Sequence, residues 1–170
     1  MSRSGRYERT MRAAGFALGL GIVVLALLAW RLPTVRPDLG AEAAFSVTPT
    51  GELEVQPVGV FLDARGLRPG SEAQTGEIAL RNQTGKTLAV SLRALPAARD
   101  LDKIVSVRLT SGETTVFSGT LGGLRDWTKP LRLRSGERAP LRLRVTMPST
   151  IHSGYAARIE SVPLELRSAA

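Results

Sequence analysis

From residue 44 to residue 170, apolar and polar residues alternate in short segments separated by turn residues. The alternation is clearest in Leu131–Arg134 and Leu141–Val145, where leucine or valine occupies one face of an extended chain and arginine the other. Turn signals such as Pro69-Gly70 and Gly122-Gly123 bound these segments. The other predicted strands are Ala44–Thr48, Glu52–Gln56, Val58–Leu62, Glu77–Asn82, Thr87–Leu95, Val105–Leu109, Thr114–Leu121 and Tyr155–Leu166.

This pattern predicts an all-β domain over residues 44–170 with roughly eight to ten strands. An antiparallel two-sheet sandwich, of jelly-roll or immunoglobulin-like type, would bury the apolar face of every strand. Pro163 indicates an edge strand or a bulge near the end of the chain. Because the chain has no cysteine, apolar packing has to stabilise the domain without disulfides.

The N-terminal part has a different pattern. Residues 13–30 form an uncharged apolar run, which as a helix would span about 27 Å, and residues 1–12 before it are basic. We therefore expect a transmembrane helix at 13–30 with residues 1–12 in the cytoplasm. Residues 31–43, with two prolines, would link this helix to an extracytoplasmic domain.

Two interpretations of the apolar run remain open. A retained signal anchor would tether the domain to the cell membrane, whereas cleavage would release it as a secreted protein. The small-residue pattern Ala41-Glu42-Ala43 is a candidate cleavage site, although it follows the apolar run at an unusual distance.

Residues 44–95 carry a resemblance to a known family. Their pattern is Gly51-Glu52-Leu53-Glu54-Val55, then Leu67-Arg68-Pro69-Gly70, then a strand that ends in Asn82-Gln83-Thr84-Gly85. Together with the N-terminal export segment, it resembles the TasA/camelysin family of exported bacterial β-sandwich proteins. The resemblance implies a jelly-roll domain that is displayed on the cell surface or assembled into extracellular matrix fibres.

The sequence offers little catalytic chemistry. It contains no nucleophile elbow, phosphate loop or His-Glu-x-x-His motif, and His152 is its one histidine. Asp100 and Asp102 could hold a calcium ion, but Arg99 and Lys103 flank them. We therefore expect a protein without enzymatic activity, metal or cofactor.

The arginines of the two Leu–Arg segments are the strongest candidate binding feature. If these segments pair, Arg132, Arg134, Arg142 and Arg144 share one face and could bind an anionic polymer, a lipid headgroup or an acidic protein surface. The alternative is a solvated face with acidic neighbours. Trp127 could be a sugar-stacking platform or a core residue at the end of a sheet.

These features predict a structural protein of the cell surface or extracellular matrix that acts through protein–protein contacts, with fibre formation as one form of self-assembly. In that form Ala44–Thr48 would pass between subunits, with Phe45 and Val47 filling pockets in the neighbour. The alternatives are an accessory subunit of a membrane or secretion complex and a binding module for an anionic cell-wall polymer. Nucleic acid is not an expected partner, because the basic residues would lie outside the cell.

Overall fold

The computed structural model describes residues 40–95 and 99–170, which fold into ten strands and one turn of 3₁₀ helix. The strands are β1 (Ala41–Val47), β2 (Leu53–Gln56), β3 (Gly59–Leu67), β4 (Gln74–Asn82), β5 (Leu88–Ala94), β6 (Ser106–Ser111), β7 (Thr114–Thr120), β8 (Leu131–Leu133), β9 (Arg138–Thr146) and β10 (Ile159–Ala169). The 3₁₀ turn, Gly122–Arg125, lies between β7 and β8.

The strands form two five-stranded sheets. Sheet A has the order β3-β1-β10-β5-β8, and sheet B has the order β2-β4-β9-β6-β7. The predicted all-β, two-sheet architecture is therefore confirmed. Adjacent strands of the described residues are antiparallel except for β1 and β10, which are parallel, so the prediction of purely antiparallel sheets is wrong for that one pair.

The core lies between the sheets and follows from the alternation of the sequence. Along β1, β5 and β9 every second residue is buried, as the period of two requires when one face of a sheet is covered. Phe45 of β1, Ile78 of β4 and Leu143 of β9 are at most 1% exposed and belong to one continuous cluster of buried side chains. A single core thus joins the two sheets.

Several strand boundaries differ from the prediction. β1 begins at Ala41, within the segment predicted as a linker, because Ala41 and Ala43 continue its buried face. The last strand begins at Ile159, which is its first residue to pair with β1. The carbonyl of the preceding residue, Arg158, accepts a hydrogen bond from the N–H of Glu42.

Pro163, predicted to mark an edge or a bulge, lies at a change in the pairing of β10: the strand pairs with β1 up to Leu164 and with β5 from Leu164 onward. The carbonyl of Pro163 accepts a hydrogen bond from the N–H of Leu95. The residue therefore sits where the ladder with β5 begins and contributes through the one backbone group that a proline retains.

The described residues contain no helix that is long and apolar enough to cross a membrane. The transmembrane helix predicted at residues 13–30 and the basic segment 1–12 lie outside them.

A buried asparagine connects the sheets at the start of β5. The Asn82 Nδ2 lies within 3.0 Å of the carbonyl oxygens of Lys86, Leu133 and Arg134, and its Oδ1 accepts from the N–H and the hydroxyl of Thr84 at 2.8 Å. Asn82 ends β4 in sheet B, whereas Leu133 ends β8 in sheet A. One side chain thus shapes the turn before β5 and holds β8 in place.

We predict that Asn82→Asp destabilises the domain by about 2–4 kcal/mol, because a carboxylate cannot donate to the three carbonyl oxygens that the amide satisfies. Urea unfolding measures the change. Gln83→Glu, the matching amide-to-carboxylate change at the exposed neighbouring residue, is the control and should cost less than about 1 kcal/mol, because it removes only an exposed 3.3 Å hydrogen bond to Glu54. Equal stability of the two variants would contradict this role of Asn82.

Candidate functional site

The two Leu–Arg segments do not pair, so the prediction of one shared face for their four arginines is wrong. Leu131–Leu133 pairs with β5 in sheet A, whereas Arg138–Thr146 pairs with β4 and β6 in sheet B. The two segments lie in sheets that face each other, so their leucines pack into the same core. The alternation of leucine and arginine fits this arrangement as well as it would fit a hairpin within one sheet. The turn between them, closed by the Glu137 N–H and the Arg134 carbonyl, carries the chain from one sheet to the other.

The four arginines consequently lie as two pairs on different sheets. Arg132 and Arg134 are exposed on and after β8, while Arg142 and Arg144 point outward from β9. Arg142 donates two hydrogen bonds to a Glu77 carboxylate oxygen, at 3.2 and 3.0 Å. Arg144 instead lies directly opposite Arg108 of β6, a residue that the sequence pattern had not singled out.

Arg108 and Arg144 border a shallow groove on the outer face of sheet B. The groove has a volume of about 540 Å³ and crosses β7, β6 and β9. Hydroxyl side chains from all three strands line it, and they are Ser106, Ser118, Thr120 and Thr146. Val107 and Gly119 complete its lining, so hydroxyl, guanidinium and apolar groups all border it.

Trp127 lies on the outer side of sheet A beside two arginines. The guanidinium carbons of Arg93 and Arg167 are 4.6 and 5.7 Å from the centre of its ring. Arg93 also forms a 2.7 Å ion pair with Glu165. The indole is half-buried and engaged in cation–π contacts, so it is neither a bare stacking platform nor a member of the central core.

Phe45 and Val47, the residues predicted to pass between subunits, are buried in the core of their own chain. Their strand, β1, is not at an edge: β3 pairs with one side of it and β10 with the other. The candidate cleavage residues Ala41, Glu42 and Ala43 belong to the same strand. Any transfer of this segment therefore requires β1 to leave an interior position.

The loop aspartates are bound by arginines of the chain itself. Asp100 forms a 3.5 Å ion pair with Arg158, and Asp102 accepts two hydrogen bonds from Arg125, at 3.1 and 2.7 Å. His152 is exposed. Among residues 40–95 and 99–170 no group of three or more His, Cys, Asp or Glu side chains could hold a metal ion.

Arg125 and Glu160 form a buried ion pair at the opposite end of β5 from Asn82. The Glu160 carboxylate has no exposed surface, and it accepts from the Arg125 guanidinium at 2.5 Å and from the N–H groups of Arg99 and Leu101. Arg125 also donates to the carbonyl of Leu95. Burial alone would lower the pKa of Arg125, but its hydrogen bonds to Asp102 and Glu160 outweigh burial and raise that pKa above the ordinary value.

The sequence held only partial signals for these residues. The alternation Ser106-Val107-Arg108-Leu109 predicts that Arg108 lies on the outer face of a strand. It does not predict that Arg144 is the neighbour of Arg108, because that follows from the order of the strands in the sheet. Glu160 occupies an inward position in the predicted last strand, where a carboxylate needs a buried partner. An acidic residue in a buried register is therefore the signal that could have identified this ion pair.

Comparison with known proteins adds little to this geometry. No family model matches the chain, and no curated protein is similar to it. Among solved structures, the N-terminal domain of PorA is similar over 74% of this chain and 87% of that chain, with 11% sequence identity and a TM-score of 0.30.

We predict that Arg125→Met costs about 3–5 kcal/mol of stability, because it leaves the Glu160 carboxylate buried without its counter-ion. Combining it with Glu160→Gln should cost clearly less than the sum of the two single changes. Urea unfolding of the four proteins gives the coupling. The exposed pair Arg142→Met and Glu77→Gln is the control and should show little or none. Additive effects at Arg125 and Glu160 would contradict the structural role of this ion pair.

Proposed function

We propose that this protein is a non-catalytic structural protein of the bacterial cell surface or extracellular matrix, and that its copies assemble by exchanging β1. The resemblance of residues 44–95 to the TasA/camelysin family supports this proposal. The observation that carries it is the place of β1: the first described strand fills a gap between two others, and all of its inward side chains complete the core.

The contacts of β1 are suited to exchange because every copy of the chain has the same β3, β10 and core with which a β1 can pair and pack. Its backbone pairs with β3 from Ala41 to Val47 and with β10 from Glu42 to Val47. Ladders of this kind supply affinity, while Phe45 and Val47 fill the core and set the register. A β1 donated by a neighbouring copy would make the same contacts as the chain's own strand.

The connection from β1 to β2 can serve as the hinge. It comprises Thr48 to Glu52, is largely exposed, and contains Pro49 and Gly51. In an open arrangement this segment would extend away from the domain and place β1 in the next copy. Each copy would then donate one strand and accept one, and a head-to-tail contact of this type grows into a filament when its rotation does not close.

The order of the strands supports the jelly-roll alternative over the immunoglobulin-like one. From β1 to β6 and again from β7 to β10, consecutive strands alternate between sheets A and B, and β6–β7 is the one hairpin among the described strands that stays within a sheet. Alternation around a central hairpin is typical of two interleaved Greek keys. Immunoglobulin-like domains keep several consecutive pairs within one sheet.

The sequence before Gly40 supports a location outside the cytoplasm. Its basic residues and apolar run are typical of an export segment, which either remains as a membrane anchor or is removed. A retained anchor would favour the second candidate, an accessory subunit of a membrane or secretion complex. Anchored copies could not stack far from the membrane, so filaments built by exchange of β1 require release. Exchange of β1 therefore favours the first candidate, the structural protein.

We predict that chains beginning at Asp38 form filaments and that a peptide of residues 38–50 stops their growth. A separate β1 would occupy the gap between β3 and β10 of the terminal subunit without bringing a further domain. Electron microscopy at equal protein concentration measures filament length, which should fall as the peptide concentration rises.

The control is the same peptide with Phe45→Asp and Val47→Asp, which cannot enter the core and should leave filament length unchanged. Monodisperse monomers at all salt concentrations and pH values would contradict assembly and favour the tethered subunit. Equal inhibition by both peptides would contradict strand exchange.

A further inference from the structure

The outer face of sheet B carries its side chains in regular rows across the strands. One row contains Thr120, Ser106 and Thr146, which are aligned on β7, β6 and β9. The next row contains Ser118, Arg108, Arg144 and Thr75 on β7, β6, β9 and β4. Hydroxyl groups thus surround a central pair of arginines, and neither row contains a carboxylate.

Arg108 and Arg144 are directly opposite each other on neighbouring strands, where Cβ atoms are typically about 4.5–5.5 Å apart. Both side chains are exposed, and within residues 40–95 and 99–170 neither guanidinium has a hydrogen bond or an ion pair. Like charges at this spacing repel each other. An anion bound between them would remove that repulsion.

A second pair of arginines on the same face shows the contrast. Arg81 and Arg138 are also directly opposite each other, on β4 and β9. There, Arg81 forms an ion pair with Glu54 at 3.7 Å, and Arg138 donates to the Gln56 amide oxygen at 3.0 Å. The chain therefore supplies acceptors to one pair of arginines and leaves the other pair open beside the groove.

We propose that the groove at Arg108 and Arg144 binds an acidic polysaccharide, a site that is separate from the exchange of β1. The two guanidiniums would each donate to a carboxylate or sulfate group of the sugar. The four lining hydroxyls both donate and accept hydrogen bonds, as the hydroxyl groups of a sugar require. With about 540 Å³ of space, the open groove accommodates part of a longer chain and leaves both of its ends free.

Polysaccharide fits this surface better than an acidic peptide. β6 and β9 are paired on both sides, so the strands that carry the arginines have no free backbone edge to which a peptide could add. In a peptide of acidic residues, carboxylates would face the four lining hydroxyls, which belong to Ser106, Ser118, Thr120 and Thr146. A carboxylate only accepts hydrogen bonds, so these hydroxyls could donate to it but could not accept from it. The lining also lacks aromatic side chains, which stacking of nucleic-acid bases would require.

The test measures binding of the full chain, held in detergent micelles, to polygalacturonate and to dextran sulfate. These two probes distinguish a carboxylated from a sulfated ligand, and unmodified dextran and polyglutamate are included for comparison. We expect Arg108→Ser combined with Arg144→Ser to weaken binding of the preferred polysaccharide by about tenfold or more while the fold stays intact.

The matched control is Arg132→Ser combined with Arg134→Ser, which removes the same charge from exposed positions on and after β8. It should change the affinity by less than about twofold at 0.15 M salt, where distant surface charges are screened. A third variant, Ser118→Ala with Thr120→Ala, keeps all charges and should weaken the polysaccharide by several fold.

Three results would overturn the proposal. The first is equal weakening by the two arginine pairs, which would show unspecific attraction to a basic protein. The second is binding of polyglutamate as tightly as the better polysaccharide. The third is no binding of either polygalacturonate or dextran sulfate.

Discussion

The pairing of β1 between β3 and β10 is the contact on which the rest of the domain depends. Without β1, sheet A would separate into a single strand, β3, and the three-stranded remainder β10-β5-β8. The core would lose Ala41, Ala43, Phe45 and Val47, and two backbone edges would be exposed along its gap. An open gap of that kind is a template for another strand. The stability of the domain therefore depends on a β1 being present between β3 and β10.

Polar contacts at the two ends of β5 hold the parts of the domain around β1 in place. Asn82 fixes the turn before β5, and the Arg125–Glu160 pair fixes the loop after it, so the two ends use different chemistry for the same purpose. Asn82 is satisfied only when β8 of the opposite sheet is in place, and Glu160 only when the loop after β5 and the 3₁₀ turn are in place. Neither group could be replaced singly by an apolar residue without leaving its partners unpaired.

The sequence predicted the class of the fold and most strands, because the alternation at β5 and β9 reports directly which face is buried. It could not predict the sheet to which each strand belongs. Leu131–Leu133 and Arg138–Thr146 have the same pattern, and a pairing in one sheet or a facing position in two sheets buries their leucines equally well. The candidate site depended on that choice, because it separates Arg132 and Arg134 from Arg142 and Arg144 and places Arg144 opposite Arg108.

Strand exchange can be tested directly through the register of β1 against β3, where Ala44 lies opposite Asp63. The chain has no cysteine, so Ala44→Cys combined with Asp63→Cys adds one cross-strand disulfide and no other. After oxidation of assembled protein, strand exchange should give a ladder of covalent multimers on a denaturing gel without reductant, and the single-cysteine variants should yield at most dimers. Fully oxidised monomer as the sole product from assembled material would show that each copy keeps its own β1 and would contradict strand exchange.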